Sequence, residues 1–358
     1  MRNFQYFPVL KGRNGEYGAL EMLSPELKGF LCPVIEIPPV TWNHEGNAPA
    51  KTIDQHLQKV GVNVERAWGR TQPIFVDLTW IENGQRMADG THPAIYLFRA
   101  LRTRGVQALP VTGLVRDQEY QRAYRDVVQQ DGRGVALRLQ REDLAESDDL
   151  AIQVANLLSY FGTPQREADL ILDLRSVDGS SQIEDVVSMI DALPKLDQWR
   201  SFALCGTAFP VNLMGIPPSA RSSLPRTEWA LWRELVSTRS LARNPNFGDY
   251  AIASPEPSEV DPRIMRPSAS IRYTTEENWL ILKGQNLRNH GFTQFHDVSR
   301  MLVSASEYSG PNLSWGDRYI SECARNRVGT GNLTTWRKVG TSHHLAYVLR
   351  QLANLSEV

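Results

Sequence analysis

Asp169-Leu170-Ile171-Leu172-Asp173-Leu174 is the stretch whose reading decides the fold. Its apolar residues run together instead of alternating with polar ones, as in a strand covered on both faces. Seven further runs share this texture. They are Tyr6-Phe7-Pro8-Val9-Leu10, Pro33-Val34-Ile35-Glu36-Ile37, Pro73-Ile74-Phe75-Val76-Asp77-Leu78 and Gln107-Ala108-Leu109-Pro110-Val111. Val135-Ala136-Leu137-Arg138-Leu139, Phe202-Ala203-Leu204-Cys205-Gly206 and Asp249-Tyr250-Ala251-Ile252-Ala253 complete the set. Between them the apolar period changes to that of a helix. Ile183, Val186, Val187, Ile190 and Leu193 share one face, and Ser181 and Glu184 stand before it at capping-box spacing. Tyr120, Ala123, Tyr124, Val127 and Val128 form a second stripe, and Leu150, Val154, Leu157, Leu158 and Phe161 a third. Trp229, Trp232, Leu235 and Val236 mark the helix before the last run. Gly105, Gly132 and Gly162 follow helices where a left-handed stop residue is expected.

Eight strands alternating with helices predict a (β/α)8 TIM-like barrel over residues 1–254, matching the ~250 residues of such a barrel. An open doubly wound sheet is the alternative. It lacks support because Gly12-Arg13-Asn14-Gly15 has no dinucleotide-fingerprint spacing. After Ser254 the texture changes. Ser254-Pro255-Glu256-Pro257 and 262–267 read as a proline-rich connector. Ile271-Arg272-Tyr273 and Trp279-Leu280-Ile281-Leu282 read as two strands joined by a polar turn. Helical segments follow around 297–305, 318–325 and 344–355. Residues 255–358 are therefore expected to form a smaller α+β appendage packed on the barrel.

The chain has 358 residues and a formal net charge of −1, with 39 Lys and Arg against 40 Asp and Glu. This balance excludes a globally polybasic protein. Cys32, Cys205 and Cys323 are scattered, odd in number and without metal-ligand spacing, which suits a reducing cytoplasm. Met1–Gln5 lacks the apolar start of a signal peptide, and no stretch approaches the ~20 apolar residues of a spanning helix. The expectation is a cytoplasmic protein with no membrane partner. HExxH, GxSxG and Walker loops are absent from the sequence.

Tyr6-Phe7-Pro8-Val9-Leu10-Lys11-Gly12-Arg13, followed by Gly15-Glu16 and Ala19-Leu20, resembles the opening block of the "beta protein" family of phages and prophage satellites. Pro33-Val34-Ile35-Glu36-Ile37-Pro38-Pro39 and Phe75-Val76-Asp77-Leu78 stand where that family has its next blocks. Trp336-Arg337 and Gly340-Thr341-Ser342-His343-His344-Leu345 resemble its closing block. The resemblance spans nearly the whole chain. It implies a phage–host setting and no particular reaction.

A barrel would gather the C-terminal ends of its strands on one face, where barrel active sites lie. Lys11, Arg13, Glu36, Asp77, Arg138, Asp173 and Arg175 stand at those ends. Glu36, Asp77 and Asp173 could hold a divalent cation such as magnesium through oxygen, while Lys11, Arg13, Arg138 and Arg175 bind a phosphate. Two of the carboxylates could instead share acid and base work, or the charges could close the barrel as a salt-bridge layer. Asp77 and Asp173 sit in apolar strands, so each needs a partner, with Lys11, Arg138 and Arg175 nearest. Pro38 and Pro39 should end their strand just after Glu36 and leave it at the rim. His343 and His344 point about 100° apart on a helix. One would cap or line the cleft and the other would be exposed. Arg318, Arg325, Arg327, Arg337 and Lys338 interleave with Trp315, Tyr319 and Trp336, a pattern that could track nucleic acid.

These features support a phage-associated defence or immunity component that binds or senses through a co-encoded or phage protein. The alternative is a metal-assisted hydrolase or phosphodiesterase acting on a phosphorylated small molecule or nucleotide, with Glu36, Asp77 and Asp173 as its catalytic groups. A nucleic-acid-binding protein is the third reading.

Overall fold

Strand pairing closes the eight runs into one parallel barrel in the computed structural model, which describes residues 5–145, 149–179, 182–256 and 266–356. The strands are Tyr6–Leu10, Val34–Glu36, Pro73–Asp77, Gln107–Thr112, Ala136–Gln140, Asp169–Ser176, Ser201–Thr207 and Asn246–Asp249. Tyr6 opposite Phe247 joins the first strand to the eighth. Phe7, Val34, Phe75, Leu109, Ile171 and Cys205 are among the side chains that fill the interior, so the barrel is a packed core and not a pore. The three cysteines are buried and free.

Each strand feeds a helix: Asn14–Glu21, Ile53–Trp68, Pro93–Thr103, Gln118–Asp131, Leu150–Phe161, Ile183–Asp191, Thr227–Thr238 and Leu333–Ser356. The predicted stripes face inward, with Tyr124, Val127, Val154, Leu158, Val186 and Ile190 all buried. Gly105, Gly132 and Gly162 have positive φ, as expected of helix stops. Ser181 lies outside the described residues, and Gln182 caps its helix without a side-chain hydrogen bond.

The eighth strand is Asn246–Asp249, earlier than the run expected from Asp249 to Ala253. Asp249 Oδ1 accepts the Ala251 N–H at 2.9 Å and Ala251 adopts φ of 52°. The carboxylate turns the chain out of the sheet, so the apolar residues beyond it do not extend the strand.

The expected hairpin is present as Ser268–Thr274 and Asn278–Asn286, paired antiparallel. A third strand, Ala220–Pro225, comes from the connection after the seventh barrel strand and pairs with Asn278–Asn286. Two βα connections of the barrel therefore build the small sheet. Ile271, Tyr273, Leu282, Phe295 and Ile320 form its core with Trp336 and Val339 of the last helix. The same helix sends Leu345, Val348, Leu349 and Leu352 into the barrel core. It is the eighth barrel helix, and a boundary at 254 separates it from its own strand. Its start at Leu333 is well before the expected 344. Thr334, Thr335, Gly340, Thr341 and Ser342 are weak helix formers. Tertiary packing overrides them: a Cβ on Gly340 would lie 2.7 Å from Ile252 Cδ1. Among the described residues no helix is long and apolar enough to cross a membrane.

The helix Trp315–Ala324 crosses the last helix at close range, since a Cβ on Gly316 would sit 2.2 Å from the Val339 carbonyl oxygen. Backbone cannot yield as a flexible side chain does. Gly316→Ala should therefore cost about 1–3 kcal/mol in urea unfolding, and an unchanged midpoint would refute this close packing.

Candidate functional site

Asp77 and Asp249 end their strands, Asp173 stands at a register shift near the end of its own, and each aspartate does two jobs. Asp77, Asp173 and Asp249 each use Oδ1 to accept the N–H two residues ahead, from Thr79, Arg175 and Ala251, all at 2.9 Å. This local bond bends the backbone away from the strand. Their second oxygens are left for tertiary partners. Asp249 faces outside the barrel, whereas Asp77 and Asp173 turn their free oxygens inward to Arg138.

Arg138, on the fifth strand, is the centre of the barrel mouth. Its Nη1 donates to Asp77 Oδ2 at 2.9 Å, and its Nε and Nη2 donate to Asp173 Oδ2 at 3.0 and 2.8 Å. Nη2 also lies 2.9 Å from Glu36 Oε1. Tyr250 adds its hydroxyl, 2.7 Å from Asp173 Oδ2. Lys11 donates to Glu36 Oε2 at 2.7 Å, where Trp80 Nε1 also donates at 3.1 Å. Arg116 lies 3.2 Å from Asp77 Oδ1. Glu36, Asp77 and Asp173 thus meet Arg138, Lys11 and Arg116, three negative charges against three positive ones. The Arg138 side chain is only 3% exposed. Burial alone would raise the Glu36 pKa. Arg138, Lys11 and the hydrogen bonds from Lys11 and Trp80 outweigh burial and hold the carboxyl below its ordinary value. Burial would likewise discharge Arg138, but Tyr250, Asp173, Glu36 and Asp77 keep it charged.

The site residues read from the sequence divide into three groups. Glu36, Asp77, Asp173, Arg138 and Lys11 come together in this cluster. Glu36 does end its strand, but its carboxylate turns into the barrel and is buried. Arg13 and Arg175 stand apart. Arg13 is the exposed N-cap of the first helix, and its N–H donates to Glu16. Arg175 sends its side chain to Glu256. His343 and His344 are both buried, which corrects the expectation that one is exposed. Their helix runs between the barrel and the small sheet, so both of its faces are covered. His344 Nε2 lies 2.7 Å from Asp249 Oδ2, with Nδ1 2.7 Å from Thr274 Oγ1. His343 Nδ1 lies 3.1 Å from both Asp317 oxygens, and its Nε2 2.8 Å from the Thr274 carbonyl. The two histidines tie the lobes together. Arg116, Trp80 and Tyr250 escaped the sequence reading because each lies beyond its strand, in a connection without periodicity.

A divalent cation fits this cluster poorly. Two of the three carboxylates already give an oxygen to a backbone N–H, and all three face the Arg138 guanidinium. A metal ion would have to displace that group. Among the described residues no set of three His, Cys, Asp or Glu side chains is arranged to hold one. The phosphate role foreseen for Arg138 meets the same obstacle, because its donors are spent on carboxylates. As it stands, the arrangement buries three carboxylates and pairs each with a cation.

A second buried acid sits at the lobe joint. Glu228 Oε2 accepts the Ala208 N–H at 3.0 Å, and Oε1 is 3.8 Å from Arg226 Nε. Burial pushes the Glu228 carboxyl up to about 8, against the opposing pull of Arg226.

Two pH experiments follow. Arg138→Met strands three buried carboxylates and should cost about 3–5 kcal/mol at neutral pH. The penalty should shrink towards about pH 5, because Arg138 holds the Glu36 carboxyl below its ordinary value and that contribution fades as pH falls. Equal penalties in urea melts at both pH values would refute the charge-balance account. For Glu228 the folded pKa is raised, so its stabilising contribution is full below the ordinary carboxyl pKa and fades as pH rises towards 8. Glu228→Gln should flatten the fall of melting temperature between pH 6 and 9. An unaltered slope would place the titration elsewhere.

Comparison with known proteins comes in three parts. No curated protein matches the chain. Among solved structures it is similar to a protein assigned to the dihydrodipicolinate synthase family from Coccidioides immitis, at 12% identity and a TM-score of 0.30. That match covers 57% of this chain and 61% of the other. It is also similar to the carboxyl transferase domain from Rhizobium etli pyruvate carboxylase, solved with pyruvate and biocytin, at 11% identity and a TM-score of 0.38. Here 99% of this chain and 54% of the other are covered. The chain thus spans less than two thirds of either structure. The sequence model of the Beta protein family matches residues 6–350. With nearly its full length matched, the chain belongs to the Beta protein family.

Proposed function

We propose that this protein acts by binding, as a phage- or prophage-associated defence or immunity component that works in the cytoplasm through a protein partner. The observation that carries this reading is the self-neutralised barrel mouth. Where a (β/α)8 enzyme presents its reacting groups, this chain packs three carboxylates against Arg138, Lys11 and Arg116. A hydrolase using Glu36, Asp77 and Asp173 would first have to break that layer.

The connections above the mouth support a protein partner. Val115 is 86% exposed in the connection after the fourth strand, and Met214 and Val211 are 80% and 56% exposed in the one after the seventh. Trp42 is also exposed, in the connection after the second. The segment bearing Val211 and Met214 is pinned from below. Lys283 donates to the Leu213 and Ile216 carbonyls, and Phe209 and Ile216 pack with Trp279. Apolar side chains on a held backbone lose little entropy when a partner covers them. The nucleic-acid reading has less behind it. Trp336 is stacked on Phe295 at 4.2 Å in the small core, and Arg337 donates to the Ile252 carbonyl. Those groups are spent on packing.

The test is phage plating efficiency on cells carrying the chain with its native gene neighbours, compared with Met214→Asp and Asp173→Asn forms. Both variants are checked for folding by thermal melting. The binding reading predicts at least a tenfold loss of protection with Met214→Asp and retained protection with folded Asp173→Asn. The reverse pattern would move the function to the barrel mouth.

A further inference from the structure

A groove lies outside the barrel mouth, between the seventh helix, the last helix and the turn of the small hairpin. Its volume is about 300 Å³, at the lower end of small-molecule pockets. Trp229 and Arg233 of the seventh helix line one wall, Tyr347, Arg350 and Gln351 of the last helix the other, and Glu276 the hairpin side. We propose that this groove is a binding site for a small organic anion, its carboxylate or phosphate set against Arg233 and Arg350.

Three observations support the assignment. The first is charge. Two guanidinium groups face one carboxylate among the lining residues, and Arg233 shares its charge with Glu277 at the edge. Arg350 lies with its guanidinium carbon 4.7 Å from the Tyr347 ring centroid, where it keeps its positive charge beside an aromatic surface. The second is what stands behind the floor. Arg226 is fully buried, 5.2 Å from the Trp229 ring centroid. Its Nη1 donates to Gln351 Oε1 at 2.7 Å and to the Thr275 carbonyl at 3.0 Å, both neutral acceptors. Its Nε and Nη2 have no hydrogen-bond partner among the described residues. The Glu228 carboxylate oxygen Oε1 lies 3.8 Å from Nε, outside hydrogen-bond distance. A buried guanidinium thus stands directly behind the groove, where solvent screens it least. The third is rigidity. Gln351 is fixed at both ends, accepting from Arg226 and donating to the Glu276 carbonyl at 3.0 Å. The wall is thus formed before anything binds.

Trp229 and Tyr347 are themselves buried, and Leu355, 46% exposed at the groove's edge, offers the apolar surface that favours an anion with an organic body over a bare ion. Such a ligand would touch both the barrel and the small lobe. The site shares no residue with the partner surface or with the Arg138 cluster, so it stands or falls separately from the function proposed above.

Titration calorimetry of the full chain at low salt tests this, with inorganic phosphate, citrate and adenosine monophosphate as probes. At least one organic probe should bind saturably and more tightly than phosphate. Arg350→Gln and Arg233→Gln should each weaken it by about tenfold, the value of one charge-assisted hydrogen bond. Both residues are at least partly exposed, and the free variants should melt like the parent. No saturable heat from any probe, phosphate binding as tight as either organic anion, or binding that survives both substitutions would overturn the proposal.

Discussion

The upper half of this barrel depends on one guanidinium group. Arg138 is buried in the barrel mouth and reaches Glu36, Asp77 and Asp173, which come from the second, third and sixth strands. No other side chain in the mouth could satisfy all three carboxylates at once. A planar fork with five donors can address several acceptors in different directions, which a lysine ammonium could not do with the same reach. Replacing such a cluster by apolar groups of the same shape is often harmless, whereas removing one member is not.

Charge balance explains how the rest of the mouth is arranged. Lys11 and Arg116 supply the second partners of Glu36 and Asp77, and Lys11 is held 5.3 Å from the ring centroids of both Trp80 and Tyr250. Asp77 and Asp173 are each also held by a backbone N–H two residues ahead. This barrel diverts two of its βα connections, the seventh and eighth, into a second sheet, and its last helix braces both lobes through His343 and His344.

Much of this was legible in the sequence. Near-continuous apolar runs such as 169–174 identify doubly covered strands, and strands and helices in alternation leave few architectures. The need of Asp77 and Asp173 for a buried cation pointed correctly to Arg138, because an unpaired charge in an apolar strand is too costly to keep. Three features were not legible. Ala220–Pro225 has alternating exposure on an edge of the small sheet and lacks the apolar density of the barrel strands. The first turns of the last helix are written in threonine, serine and glycine, and tertiary packing holds them, with Gly340 against Ile252 and Arg272 and Val339 against Gly316. Arg116 and Tyr250 reach the cluster from connections, where side-chain direction follows turn geometry and not period. The histidine pair was read correctly as divergent, but its exposure depended on a second lobe covering the far face.

A double-mutant cycle on Arg138→Met and Asp173→Asn tests the central claim most directly. If mutual neutralisation holds the mouth together, the double variant should unfold at a higher urea concentration than Arg138→Met alone, with a coupling of about 1–3 kcal/mol. Additivity within about 0.5 kcal/mol would show that the two side chains do not depend on each other, and would contradict the account.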